Sequence, residues 1–254
     1  MRGIRKSNPP GNVSPAGQVR RSMQQAERDF VAALRSATER TACARSTFDA
    51  LEKRKLREVL YAEQGSLCVF CERRIKEQQH PPPRIDHWRP LSANPELALC
   101  WRNLYLCCAT ETTCDCRKKE SPLSADDEDA ELPWPVDHAY ECSIGFTSLG
   151  EMYVRSNTLL SSAQYKALTL AIGAPHNGEK KDNGILNLNH PALVAARQAA
   201  LDSERIRLDR DYRGKTASKA DRAARAEAML TEQPLWEYVS IRVCWLTGTL
   251  GKWR

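Results

Sequence analysis

The residues able to do chemistry form an ordered series between positions 68 and 118. It runs Cys68-x2-Cys71, Asp86-His87, Asn103, Cys107-Cys108, Cys114-Asp115-Cys116 and Lys118. Two thiolates on a tight Cys-x2-Cys turn can point at one ion. A second cysteine pair about forty residues on would complete a tetrahedral Zn2+ site, the ordinary device of a small unit short of apolar core. Spacing alone leaves the second pair open. Cys107 and Cys108 compete for its first place, Cys114 and Cys116 for its second.

Between the half-sites lies Asp86-His87. A His beside a carboxylate, on a strand tied down by a zinc knuckle, suits phosphodiester hydrolysis. The neutral imidazole takes a proton from water, which needs a pKa near the working pH. The carboxylate of Asp86 holds a hard divalent cation, Mg2+ or Mn2+, which neutralises charge building on the scissile phosphate and leaving oxygen. Asn103 follows His87 by sixteen residues. Its amide donates and accepts at once, so it can tie a loop to the strand and orient the His. Asp115 can add a second carboxylate oxygen at the cation. Lys118, one helical turn on, can meet a phosphate.

These residues need elements to hold them. Phe48, Leu51, Leu56, Val59 and Leu60 share one side of a helix over 46–63, with Gly65 at its C-terminal cap position. That helix delivers the chain to Leu67-Cys68-Val69-Phe70-Cys71, a hairpin-like knuckle. Pro81-Pro82-Pro83 is a stiff spacer before a short strand, Ile85–Trp88, that Pro90 ends. Trp101 to Leu106 begins the next element. Elsewhere, residues 1–20 read as an irregular arm, 22–42 as a weak helix, and Ser124 to Asp137 as an acidic linker. Tyr140–Thr147 and Met152–Arg155 read as a β-hairpin, 158–172 as a helix and 176–187 as a polar loop. Asn189 is placed to cap a helix with Pro191 in its first turn, and helices follow at about 216–230 and 234–247.

At 254 residues the chain can bury a sizeable core, with 41% hydrophobic and 28% charged residues. No apolar run is long enough to span a membrane. The opening MRGIRKSNPPGNVS has basic residues but no apolar segment after them, which speaks against an ordinary secretory signal and for the cytoplasm. A formal charge of +6 fits a polyanion partner without requiring one. Ten cysteines in such a chain, seven of them between 68 and 116, read as metal binding rather than disulfides. Cys244, among Val243, Trp245 and Leu246, reads as a small core residue.

Leu67-Cys68-Val69-Phe70-Cys71-Glu72, Ile85-Asp86-His87-Trp88-Arg89-Pro90, Trp101 to Cys108 and Cys114-Asp115-Cys116-Arg117-Lys118 together resemble an HNH endonuclease. The opening Met1 to Lys6, and Gly184-Ile185-Leu186-Asn187-Leu188-Asn189 followed by Leu193 and Arg197, resemble its PtuB branch, the nuclease of Septu-type and retron-linked anti-phage defence. The resemblance covers nearly the whole chain. It implies an α+β, mostly helical fold with a ββα-metal (HNH) core on a treble-clef-like zinc frame. The expected division is an N-terminal arm and helix (1–45), the nuclease core (46–123) and a hairpin plus helical C-terminal region for partner docking (124–254).

The family's spacing selects Cys108 and Cys114, so the implied structural zinc ligands are Cys68, Cys71, Cys108 and Cys114. The implied catalytic set is Asp86, His87, Asn103 and Asp115, with Asp86 and Asp115 on the catalytic cation. The pattern departs from the family in two ways. Five residues rather than two separate Cys108 from Cys114, and Asp115 stands where Asn or His is common, so Cys116 competes for that position. The implied partners are a nucleic acid (DNA, or RNA such as tRNA), a PtuA-like ATPase and, in a retron-linked form, a reverse transcriptase with its DNA–RNA product. A non-catalytic zinc-framed binding module and a regulatory subunit are the alternatives from other classes.

Overall fold

The computed structural model describes residues 15–34, 39–118, 132–156, 159–173, 184–213 and 215–250. About half of these are helical, and two small antiparallel sheets make the fold α+β. Three helices come first: α1 (Pro15–Leu34), α2 (Arg40–Asp49) and α3 (Lys53–Glu63). The single helix expected over 46–63 is thus broken at 50–52. Ser46 and Thr47 turn their hydroxyls back onto the Cys43 carbonyl, a bond that competes with the helical ladder. Lys53 then closes the corner by donating to the Phe48 carbonyl. Phe48, Leu56 and Leu60 all lie in the main core, and Phe48 also meets the His87 ring edge-on.

Helix α3 ends as expected, with Gly65 at φ +60° just after the Gln64 cap. Buried Gln64 is itself a fastener. Its amide donates to the carbonyls of Leu67 (2.9 Å) and Leu106 (2.8 Å) and accepts from Leu106 N–H (2.7 Å). The cysteine knuckle is thereby fixed against strand β2 (Leu104–Cys107), which pairs with β1 (Arg84–His87) in the register Asp86↔Tyr105 and His87↔Leu104. A short helix α4 (Asp115–Lys118) follows Cys114.

Beyond residue 131 come α5 (His138–Ser143), β3 (Ile144–Phe146) and β4 (Met152–Val154). The expected hairpin exists, but its first strand is shorter than read, because 138–143 is helical. Next are α6 (Ser162–Ile172), α7 (Pro191–Tyr212), α8 (Lys219–Thr231) and α9 (Val239–Leu246). The last begins several residues later than its apolar pattern suggested. Asn189 does not cap α7. Its amide holds both backbone groups of Met152, and His190 caps instead. The arm's first residues, most of the acidic linker and residues 176–183 lie outside the described residues; α1 already runs from residue 15.

One apolar cluster runs from Met23 to Ile241, so the knuckle region and the C-terminal helices share a core. Trp88 is its hub, stacked on Phe70 at 5.4 Å and edge-on to Tyr105 and Tyr140, each at 5.7 Å. Polar contacts add to the join. Glu72 accepts from the backbone and hydroxyl of Ser240, and Tyr238 N–H donates to the Glu72 carbonyl. Among the described residues, no helix is long and apolar enough to cross a membrane.

Candidate metal centre and catalytic cleft

The four cysteines selected by the family spacing meet. Cys68, Cys71, Cys108 and Cys114 are all buried, and their sulfurs lie within 4.8 Å of one another. Cys68 and Cys114 are 3.9 Å apart, as are Cys71 and Cys108. Four sulfurs at the Zn–S distance from one ion stand about 3.8 Å apart, so the set fits a tetrahedral ion such as zinc. The chain prepares these positions locally. Glu72 (φ +59°) and Cys114 (φ +60°) adopt left-handed backbone to turn each half-site inward. The Cys108 N–H donates to Cys68 Sγ at 3.3 Å. Hydrogen bonds from Cys114, Cys68 and Cys71 hold the Cys108 thiol far below its usual range, whereas burial pushes Cys68 and Cys114 up. A positive ion at the centre relieves that conflict by making every sulfur a thiolate.

Cys107 and Cys116 fall outside the group. Cys107 faces the Arg84 carbonyl from β2, and Cys116 Sγ lies 3.6 Å from the Arg84 guanidinium. Cys114 is anchored from the far end of the chain. Its N–H donates to the Leu186 carbonyl at 2.9 Å, and Asn187 donates to the Thr112 carbonyl at 2.7 Å. Gly184 lets this loop pack closely on the end of α6: it sits at φ +65°, and a Cβ there would come within 2.3 Å of Gly173 N. Fully buried Arg197 holds the carbonyls of Gly150 and Leu188. The late motif of the sequence is therefore a brace behind the cysteine cluster.

Beside this frame lies a cleft of about 370 Å³. Its lining includes Asp86 and His87 from β1 and Asp115 and Lys118 from α4. The Nε2 of His87 sits 2.9 Å from the Ala98 carbonyl, and Phe48 meets the ring edge-on at 4.4 Å. Burial, aided by the charges of Lys118, Lys53 and Arg45, lowers its pKa to about 4, against the raising effect of the Ala98 bond. The imidazole is neutral at neutral pH, but its pKa lies below the near-neutral value expected of a general base, because burial outweighs the Ala98 bond. Asp115 is 4% exposed and its pKa is raised to about 6, by burial first and then by the charge and hydrogen bond of Asp86. Arg84 pairs with Asp115 at 2.7 Å, and Lys118 with Asp86 at 2.8 Å. Two adjacent carboxylates offer hard oxygens of the kind that hold Mg2+ or Mn2+ together with substrate phosphate oxygens.

Asn103 does not line this cleft. It is fully buried, accepts from Arg89 N–H at 2.6 Å, and donates to the carbonyls of Arg89 and Leu97. Its reach to His87 is indirect, through the loop that carries Ala98. Lys118 donates to the carbonyls of His87 and Trp88 besides Asp86. Sequence reasoning missed Arg84, Phe48 and Arg45 as cleft residues. Arg84 was findable, since it precedes Asp86 by two residues and shares its strand face. Phe48 and Arg45 were not, because apolar spacing does not show the break after α2 that aims them. No family model and no curated protein matches the chain.

Proposed function

We propose that this chain is a metal-dependent HNH endonuclease that hydrolyses nucleic-acid phosphodiester bonds. The observation that carries the reading is the setting of His87. It is a neutral imidazole committed through one nitrogen to a backbone carbonyl, beside a carboxylate pair, on a strand pair and helix framed by four clustered cysteines. Only a hydrogen-bearing nitrogen can approach a carbonyl in this way, so Nε2 carries the proton and Nδ1 keeps its lone pair. Nδ1 takes a proton from the attacking water. Asp86 and Asp115 would hold the catalytic cation, with Lys118 paired to Asp86 and Arg84 to Asp115. When bound, that Mg2+ or Mn2+ neutralises charge on the scissile phosphate and leaving oxygen. Zn2+ on Cys68, Cys71, Cys108 and Cys114 is structural, tying the knuckle to the residues that flank β2 and α4.

The PtuB resemblance extends the proposal to an effector subunit of an ATPase-associated anti-phage system, of Septu or retron type, acting in the cytoplasm. There it would pair with a PtuA-like ATPase and, in a retron form, with a reverse transcriptase and its DNA–RNA product. The reducing cytosol would keep the thiolate ligands available.

A second reading has one observation in its favour. The Lys118 ammonium already neutralises Asp86, which suits a non-catalytic zinc-framed nucleic-acid-binding module. One experiment separates the two. The full-length chain, alone and with its ATPase, is incubated with plasmid, single-stranded DNA and tRNA in Mg2+ or Mn2+. The nuclease reading expects cutting that His87→Ala abolishes. Cutting that survives the substitution unchanged would remove the site assigned here, and binding without cutting would favour the second reading.

A further inference from the structure

We infer that Arg45, on a helix outside the strand pair and α4, is the substrate-phosphate grip of the cleft. The inference rests on the nuclease reading and deepens it. The charged lining consists of Arg45, Arg84 and Lys118 against Asp49, Asp86 and Asp115. Arg84 is taken by Asp115 and Lys118 by Asp86. Asp49 acts on Lys53, whose ammonium is packed over the Phe48 ring at 3.6 Å. Arg45 is exposed, and among the described residues it has no ion pair, although Asp49 lies one turn on along the same helix. Its charge nevertheless reaches the reacting centre, where it acts on His87.

Position supports the role. Arg45 and Phe48 stand three residues apart on one face of α2, and Phe48 is in ring contact with His87. The break after α2 leaves that face in the lining of the cleft that Asp86 and Asp115 also line. A strand whose scissile phosphate lies between His87 and the carboxylates therefore runs past α2. A neighbouring phosphate then meets the uncommitted guanidinium, whose fork matches two phosphate oxygens. The ligand class is a polynucleotide backbone, DNA or RNA alike, since the contact reads phosphate and not base.

The test uses the zinc-loaded full chain carrying His87→Ala, so that binding is seen without cleavage. A fluorescent single-stranded DNA oligonucleotide and its RNA counterpart are titrated over a series of salt concentrations. Adding Arg45→Ala should weaken binding about fivefold to tenfold and reduce the magnitude of the log–log salt slope by about one, whatever the sequence. Arg45→Lys should restore most of the affinity, and Arg45→Glu should weaken it further. In the His87-intact chain, Arg45→Ala should raise KM more than it lowers kcat. Unchanged affinity and slope in Arg45→Ala, with the parent still binding, would overturn the Arg45 role and leave the nuclease reading standing. A parent that binds neither oligonucleotide nor a duplex DNA of the same sequence would overturn both.

Discussion

The Nε2–H of His87 donates to the carbonyl of Ala98 at 2.9 Å, and the adjacent Leu97 carbonyl is held at 3.2 Å by Asn103, a residue that never touches the ring. Asn103 grips Leu97, the neighbour of Ala98, and both backbone groups of Arg89. The chain from Asn103 to Ala98 to His87 sets the tautomer. A rotated or released ring would present the wrong nitrogen to the cleft.

Asn103→Ala should therefore cost both stability and orientation. It leaves three buried backbone groups without their partner, a loss of about 3 kcal/mol. Urea unfolding of the zinc-loaded protein measures that. The second readout is the His87 imidazole resonance, whose titration should move from about 4 toward its ordinary value of 6.5 as the loop loosens. A variant that unfolds like the parent and leaves His87 titrating near 4 would show that Asn103 positions nothing.

The parts of the site that depend on local spacing were legible in the sequence. Cys68 and Cys71 follow from the knuckle spacing, the choice of Cys108 and Cys114 came from the family resemblance, and the structure brings these four together. What could not be read depends on contacts across the fold. Apolar periodicity cannot distinguish one helix over 46–63 from two, since Phe48 and Leu56 lie two turns apart and keep phase either way. Asn189 carries a cap signal, but its amide is used on β4, 37 residues away. Cys107 and Cys108 are adjacent and of one type. Residue type alone does not separate them; the strand register does, by turning Cys107 to the Arg84 carbonyl.

Metal content tests that separation. Purified protein should carry one zinc equivalent, and Cys68→Ser, Cys71→Ser, Cys108→Ser and Cys114→Ser should each lose it and unfold readily. Structural zinc is folding free energy, so a strong chelator should do the same to the parent. Cys107→Ser and Cys116→Ser should keep the zinc. Loss of zinc from either of these two, by mass spectrometry, would show that the frame is drawn from the wrong cysteines.

The pH dependence of stability should contain two opposed contributions. His87 has a folded pKa of about 4 against 6.5 unfolded, so between those values only the unfolded chain binds the proton. Its contribution is present above 6.5 and is lost as pH falls to 4, about 3 kcal/mol in all. Asp115 runs the other way. Its folded pKa is raised from 3.8 to about 6, so its contribution is present below 3.8 and is lost as pH rises through 6. In the parent the two nearly cancel. Removing one should expose the other. His87→Gln should become less stable as pH rises from 4 to 6, and Asp115→Asn more stable over the same range. Denaturation midpoints that run parallel to the parent in both variants would contradict the two shifts.

Lys118 offers the sharpest test of whether the carboxylate pair is a cation site. Its ammonium is 2.8 Å from Asp86, and both side chains are about nine-tenths buried, at 11% and 9% exposure. Lys118→Met removes the buried cationic partner of Asp86 and the donor to the carbonyls of His87 and Trp88, which should lower stability by about 3 kcal/mol. The lost charge also removes the repulsion that an incoming cation meets at this spot. Mn2+ should then bind the folded variant more tightly than the parent and raise its melting temperature by mass action. Activity should fall even so, since the strand end that carries His87 loses its hold. A melting temperature that ignores Mn2+ in both proteins would mean that Lys118 is the permanent partner of Asp86, and that the cleft binds its ligand without a metal.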